Sequence, residues 1–222
     1  MMKKILHIIF LSALLLTAIS SSAFDRVALR PGDLLFKEYP ADSAFTDAVV
    51  AATSSIDAYK FSHVGIVTDV AADGVVTVTE AVFTGVRETP LDSFLLSARH
   101  IGSQPIVVAA RVKTPYAGAV DAALPELKKL LGKPYDREFL PDNDAYYCSE
   151  LVYATFLVDG NPVFEARPMT FKDRSTGQTS PLWIKYFEEL KRPIPEGVIG
   201  TNPGDLSRSP RLTILGLVAA DL

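Results

Sequence analysis

Residues 33–112 and residues 116–157 follow different hydrophobic periods, and that division restricts the fold more than any other feature of the chain. The first stretch holds short apolar or β-branched runs: Asp33 to Phe36 after a Pro31-Gly32 turn, Val64 to Thr68, Val75 to Thr79, Val86 to Thr89 and Ile106 to Val112. Between two of them, Ala72-Asp73-Gly74 is a hairpin signal. Ala44 to Ser55 and Leu91 to Ala98 read as helices. From Tyr116 to Leu131 the spacing changes, with Val120, Ala123, Leu124, Leu127, Leu130 and Leu131 recurring at a helical period until Gly132-Lys-Pro134 ends it. A second helix is expected from Tyr147 to Leu157, stopped by Asp159-Gly-Asn-Pro162. The expectation is an α+β fold in which a mostly antiparallel sheet of about four to six strands packs against that second helix. Beyond it, Pro181 to Leu190 reads as a helix, 193–210 as loop, and Leu212 to Val218 as a last strand or packed extension.

The N-terminus is of another kind. Lys3 and Lys4 precede the mostly apolar run Ile5 to Ile19, and Ser20-Ser-Ser-Ala23 supplies small residues before Phe24. This is the pattern of a cleaved secretory signal peptide. The run is shorter than the ~20 residues a membrane span needs, so no stable membrane anchor is expected. Cleavage leaves one domain over 24–222, in the periplasm or secreted. The formal net charge is −4, and losing two leader lysines and no acid takes it to −6. A mildly acidic chain without basic runs is a poor nucleic-acid binder. Nothing in the sequence bears on oligomeric state.

Cys148 is the only cysteine, so no internal disulfide is available to a chain bound for an oxidising compartment. It sits in Asn143-Asp-Ala-Tyr-Tyr-Cys-Ser-Glu150, at the expected start of a helix. Free N–H groups and the macrodipole there favour a thiolate, lower the thiol pKa, and are placed to receive an oxyanion. The chain without its leader has two histidines. His63 lies at the leading end of a strand, in Phe61-Ser-His-Val-Gly-Ile-Val67, where a rigid element can present a base; His100 reads as a loop histidine. Glu80 ends the partner strand of the 72–74 hairpin and falls opposite the 63–69 stretch, placed to orient an imidazole. Tyr135, in Gly132-Lys-Pro-Tyr-Asp136, has a hydroxyl suited to an oxyanion, and Tyr146 and Tyr147 flank the thiol where they can shape a cleft. Glu150 is read as solvent-facing or as completing a cap. Each residue also has a plainer reading: Cys148 as small core residue, His63 as a histidine satisfied by backbone, Glu80 as a strand-end charge, Tyr135 as a packed aromatic. One Cys and two separated His make no recognisable metal-ligand set, and no cofactor is expected.

The order Pro31-Gly-Asp-Leu-Leu-Phe36, Ser62-His-Val-Gly-Ile-Val67, Thr79-Glu-Ala81, Gly132-Lys-Pro-Tyr135, Tyr147-Cys-Ser-Glu-Leu-Val152 resembles the permuted branch of the NlpC-type papain-like hydrolases. It is most like the YiiX-like (YebB-like) cysteine hydrolases, with lecithin retinol acyltransferase-like proteins as more distant members. In that branch the His strand precedes the Cys helix, as here. The resemblance spans about residues 30 to 205 and implies Cys148 as nucleophile, His63 as base and Glu80 as third member, with Tyr135 matching the tyrosine that often follows the Gly-x-Pro turn. Pro168-Met-Thr-Phe-Lys-Asp173 and Asn202-Pro-Gly204 share the likeness without an assigned role. The implied activity is hydrolysis of an amide in a cell-wall peptide or related envelope substrate. The alternatives are an N-acyl or lipid substrate, as in the acyltransferase and thioesterase relatives, and a non-catalytic binding module.

Overall fold

The structure, a computed structural model, describes residues 25, 28–40 and 44–220; the expected leader lies outside them. Its centre is a six-stranded sheet, antiparallel throughout. The strands are β1 (Leu34–Lys37), β2 (His63–Val70), β3 (Val76–Val82), β4 (Gly85–Pro90), β5 (Val107–Val112) and β6 (Leu212–Leu217), in the spatial order β6-β5-β1-β2-β3-β4. The helices are α1 (Ala44–Ala52), α2 (Leu91–Leu96), α3 (Gly118–Leu130), α4 (Cys148–Thr155), α5 (Pro181–Leu190) and α6 (Pro203–Ser207).

The period of two explains how one sheet carries two cores. Leu34 and Phe36 of β1, with Val64 and Ile66 of β2, join the core beneath α3 and α4. Leu35 and Val67, with Val76 and Val78 of β3, face the opposite side and pack on Leu91, Phe94 and Leu95 of α2. Gly65 lies on that second side: a Cβ there would come within 2.6 Å of Val78 and 2.8 Å of Phe94, so the aromatic ring occupies the space a side chain would need. Lys37, His63 and Glu80 fall in phase with the α2 side, which places three titratable groups where the pattern otherwise puts hydrophobes.

The remaining elements build a wall beside the N-terminus of α4. Gly85 has φ +113°, and a Cβ there would meet the Lys133 carbonyl at 2.6 Å. Its absence lets residues 132–133 pair with Val86 through two backbone hydrogen bonds of 2.9 Å, which holds the start of the loop that carries Tyr135 to Cys148. Asp136 is buried in that loop and accepts from the Glu138 and Leu140 amides, both at 2.8 Å. A third core is aromatic: Phe139, Tyr147, Phe171, Trp183 and Phe187 pack on Ala48, with T-shaped contacts such as Phe171 to Trp183 at 5.1 Å.

The stretch expected as loop from 193 to 210 is more ordered than that. Ile199–Gly200 pairs with Arg167–Pro168, and α6 follows, begun by Pro203 and capped by the Asn202 side chain on the Asp205 amide at 2.8 Å. Pro and Asn mark a helix start as readily as a loop, which is why composition misread the segment. The last stretch is a strand, β6, with a bulge between Ile214 and Gly216.

Candidate active site

His63 opens β2, and its Nε2 lies 2.8 Å from Glu80 Oε2. The other carboxylate oxygen, Oε1, accepts from the Thr89 hydroxyl at 2.7 Å and from Arg87 Nη2 and Nε at 3.0 and 3.3 Å. Arg87 faces Glu80 directly across the β3–β4 ladder. A fourth polar group lies behind the pair. Lys37, directly opposite His63 on β1, has its Nζ 3.9 Å from Glu80 Oε2. Glu80 is 2% exposed and His63 4%.

These contacts fix protonation states. Burial pushes the Glu80 carboxyl upward, but the His63 hydrogen bond, the charges of His63 and Lys37 and the Thr89 hydroxyl outweigh it and hold Glu80 well below the usual carboxylate range. Burial lowers His63, and Lys37 and Arg87 add to that, against the pull of Glu80. A neutral imidazole beside an anionic carboxylate carries its proton on Nε2 and donates it to Glu80, so Nδ1 is left with a lone pair.

Cys148 is the first residue of α4, and Tyr147 is its N-cap in extended conformation. The Glu150 carboxylate turns back to accept from the Tyr147 amide at 3.2 Å, so Glu150 completes the cap. Burial raises the Cys148 thiol to about 11, opposed by amide hydrogen bonds from Val64, Ser149 and Cys148 itself. This corrects the lowered thiol expected from a helix N-terminus. The helix supplies its amides, but a side chain only 7% exposed pays a larger desolvation cost. At rest the sulfur is a protonated thiol that needs a base.

One cleft is lined by both His63 and Cys148, together with Tyr39, Pro40, Phe45, Thr46, Ser62, Ala81, Val82, Phe83 and Tyr135. The Val64 amide that reaches the sulfur belongs to the residue after His63, so strand start and helix start meet there. A second cavity also borders Cys148, lined by Tyr147, Arg167, Met169, Trp183, Thr201 and Asp205 among others. Three buried polar atoms of its lining residues, Ser149 Oγ, Trp183 Nε1 and Thr201 Oγ1, have no hydrogen-bond partner among the described residues. Phe45, Ser62, Tyr135 and Cys148 border both spaces.

Tyr135 borders both spaces, its ring against Phe83 at 4.9 Å. No hydrogen bond ties its hydroxyl among the described residues. Burial and the neighbouring Cys148 push the phenol well above its ordinary value, so it remains a donor. Tyr147 lies at the cavity, but its hydroxyl is occupied: it accepts from the Thr201 amide at 3.0 Å and lies 3.8 Å from the Met169 sulfur. It braces the wall rather than offering a free hydroxyl. His100 is apart from these groups, its Nδ1 2.8 Å from the Ala98 carbonyl, in an exposed two-residue strand. Sequence reasoning missed Lys37, Arg87 and Thr89. Arg87 was reachable, since the β3–β4 hairpin puts it opposite Glu80; Lys37, ending an apolar run, carries the signature of a strand-end surface charge.

No curated protein sequence matches the chain. Among solved structures it is similar to one described as the crystal structure of metalloprotein yiiX from Escherichia coli O157:H7, with 26% identity and a TM-score of 0.64 over 85% of this chain and 97% of that one. Residues 28–216 match the family described as permuted papain-like amidase enzyme, YaeF/YiiX, C92 family. With His strand before Cys helix on a mixed helix and antiparallel-sheet frame, and with that match over most of its length, the chain belongs to the permuted papain-like amidases of the YaeF/YiiX family and is a cysteine hydrolase.

Proposed function

We propose that the chain is an exported amidase in which Cys148, His63 and Glu80 act together on an amide of the cell envelope. The observation that carries this reading is the Nε2-to-Glu80 hydrogen bond of 2.8 Å, which leaves Nδ1 as the basic nitrogen in a cleft shared with the thiol. His63 Nδ1 takes the thiol proton as sulfur attacks the carbonyl carbon. The oxyanion is received by amides at the start of α4 and by the Tyr135 hydroxyl. Imidazolium then protonates the leaving nitrogen, the C–N bond breaks, and the acyl group stays on sulfur as a thioester. Water, deprotonated by His63, releases the acid and restores the thiol.

On this reading the two spaces divide between the parts of a substrate. The group that protonates the leaving nitrogen has to stand beside it, so the leaving amine belongs in the His63 cleft and the acyl part in the cavity with Arg167 and Asp205. On the acyl side Arg167 and Asp205 offer charged partners to a peptide beside a largely aromatic wall. The His63 side favours a second reading: Tyr39, Pro40, Phe45, Val82 and Phe83 present no charge, which suits an apolar amine or an N-acyl compound better than a charged amino acid.

The description of the E. coli protein as a metalloprotein raises a metal site. Among the described residues no group of three or more His, Cys, Asp or Glu side chains is placed to hold an ion. Glu80 is flanked by the Lys37 and Arg87 cations, which repel a metal ion. The residues do not fit a metal, and no step runs through one. No described helix is long and apolar enough to cross a membrane.

The test is to expose residues 24–222 to envelope extract and to defined cell-wall peptides and N-acyl amines, then follow intact mass. A mass increase on Cys148 that water removes, absent in Cys148→Ala, supports the reading. No adduct and no turnover with any class would leave a binding module.

A further inference from the structure

A buried lysine is costly, and Lys37 is 1% exposed. Its ammonium is nevertheless held from several sides: 2.9 Å from Ser97 Oγ, 3.5 Å from the Phe94 carbonyl, 3.7 Å above the Phe94 ring and 4.5 Å from the Tyr39 ring. Among the described residues the anion it pairs with is Glu80, at 3.9 Å, on the oxygen that also receives His63. A structural ion pair would use the shorter contact available to Arg87 on Oε1; Lys37 instead lies directly across the ladder from His63. The charged and titratable groups around it are Glu80 on β3, His63 on β2, Arg87 on β4, Cys148 on α4 and Tyr39 just past β1, while α2 brings the Phe94 ring and carbonyl to it and the neutral Ser97 follows that helix.

We infer that Lys37 is a positioning residue of the hydrolase, a fixed buried cation that shares the Glu80 carboxylate with His63 and so keeps the imidazole neutral at rest and a strong acid once protonated. Glu80 alone would stabilise imidazolium and leave it reluctant to give its proton to the leaving nitrogen. A cation placed behind the carboxylate weakens that hold without breaking the 2.8 Å hydrogen bond that sets the tautomer. The effect has one sign: removing a positive charge raises the pKa of every nearby acid. Burial, opposed by Glu80, lowers the Lys37 amine to about 8, so the charge is present at neutral pH.

The role rests on the triad reading above, and its test is chosen to be separable from it. The imidazole of His63 is titrated by NMR in the wild-type chain and in Lys37→Met and Lys37→Arg, with the pH profile of kcat/KM measured alongside where a substrate is in hand. In Lys37→Met the His63 midpoint rises by about one pH unit, roughly tenfold in proton affinity, and both limbs of the profile move to higher pH. Lys37→Arg, which keeps the charge, stays near the wild-type midpoint. An unmoved His63 in a folded Lys37→Met protein overturns the role, and so does an equal rise in both variants, which would report loosened packing. If neither variant folds, His63 and Lys37 are titrated together in the wild-type chain by NMR: a further step in the His63 signal as Lys37 loses its proton supports the role, and a His63 signal blind to that step overturns it. The titrations need no turnover. A protein that hydrolyses nothing yet shows the His63 rise sinks the amidase reading and leaves only the coupling of Lys37 to the His63 imidazole.

Discussion

Asp33, just before β1, and Glu80, on β3, are both buried carboxylates of the central sheet region, and their surroundings differ in kind. Asp33, 1% exposed, is held by Arg111 through Nε on Oδ1 and Nη2 on Oδ2, both at 2.7 Å, with the Arg30 amide at 2.8 Å on Oδ2. Every partner carries a permanent proton, so the arrangement has one state. Glu80 has permanent donors only on Oε1; Oε2 is given to His63, a group that can gain and lose a proton, with Lys37 behind it. Asp33 ties the chain before β1 to β5, whereas Glu80 ties a base to its tautomer. The lesson is that burial and ion pairing do not mark a site by themselves. A buried carboxylate that shares a proton with a titratable partner facing a cleft does.

The sharpest way to break this comparison is to neutralise each carboxylate in turn. In Glu80→Gln the amide oxygen is drawn to Arg87 and Thr89, so the NH2 faces His63 and forces its proton onto Nδ1. Turnover should fall on the order of 10³-fold or more, with near-UV circular dichroism showing the fold retained. In Asp33→Asn the effect is inverted. Losing a bidentate buried pair costs about 3 kcal/mol of stability in denaturant titration, while turnover per folded molecule is unchanged. If Glu80→Gln lost mainly stability, or Asp33→Asn mainly turnover, the distinction would fail.

Smaller effects refine the edges of the site. Tyr135→Phe removes one oxyanion donor and should lower kcat about 10- to 100-fold with little change in KM, read in steady-state kinetics. Glu150 provides a pH test. Burial, partly offset by the Tyr147 amide, raises its carboxyl to about 8. The folded state therefore binds this proton more tightly than the unfolded one. Its favourable contribution is complete below about pH 4.5 and lost as pH rises through about 8. Glu150→Gln, which mimics the protonated form, should match wild type in thermal unfolding at pH 4 and exceed it by a few degrees at pH 9. No gain at pH 9 would mean that the cap carboxylate is solvated.

Much of this was legible in the residues. The β-branched runs set the strands, the 72–74 hairpin put Glu80 beside the His63 strand, and the start of a helix at Cys148 followed from the pattern of residues after it. What stayed hidden depends on three-dimensional burial. The thiol is raised because α4 begins inside the core rather than at a surface. Lys37 reads as a strand-end charge until α2, entering from residues 91–96, closes over it. The wall formed by 167–171 and 199–205 comes from a two-residue strand pair and a five-residue helix, elements too short to leave a period in the sequence.

The account turns on His63 serving as the base for an otherwise protonated thiol, and the alkylation rate of Cys148 by iodoacetamide as a function of pH measures that directly. The expected result is rapid labelling near neutral pH along a limb set by His63, lost in His63→Ala, where labelling waits for strongly alkaline solution. Labelling that follows a single alkaline limb in the wild-type chain, unchanged by the histidine substitution, would contradict it.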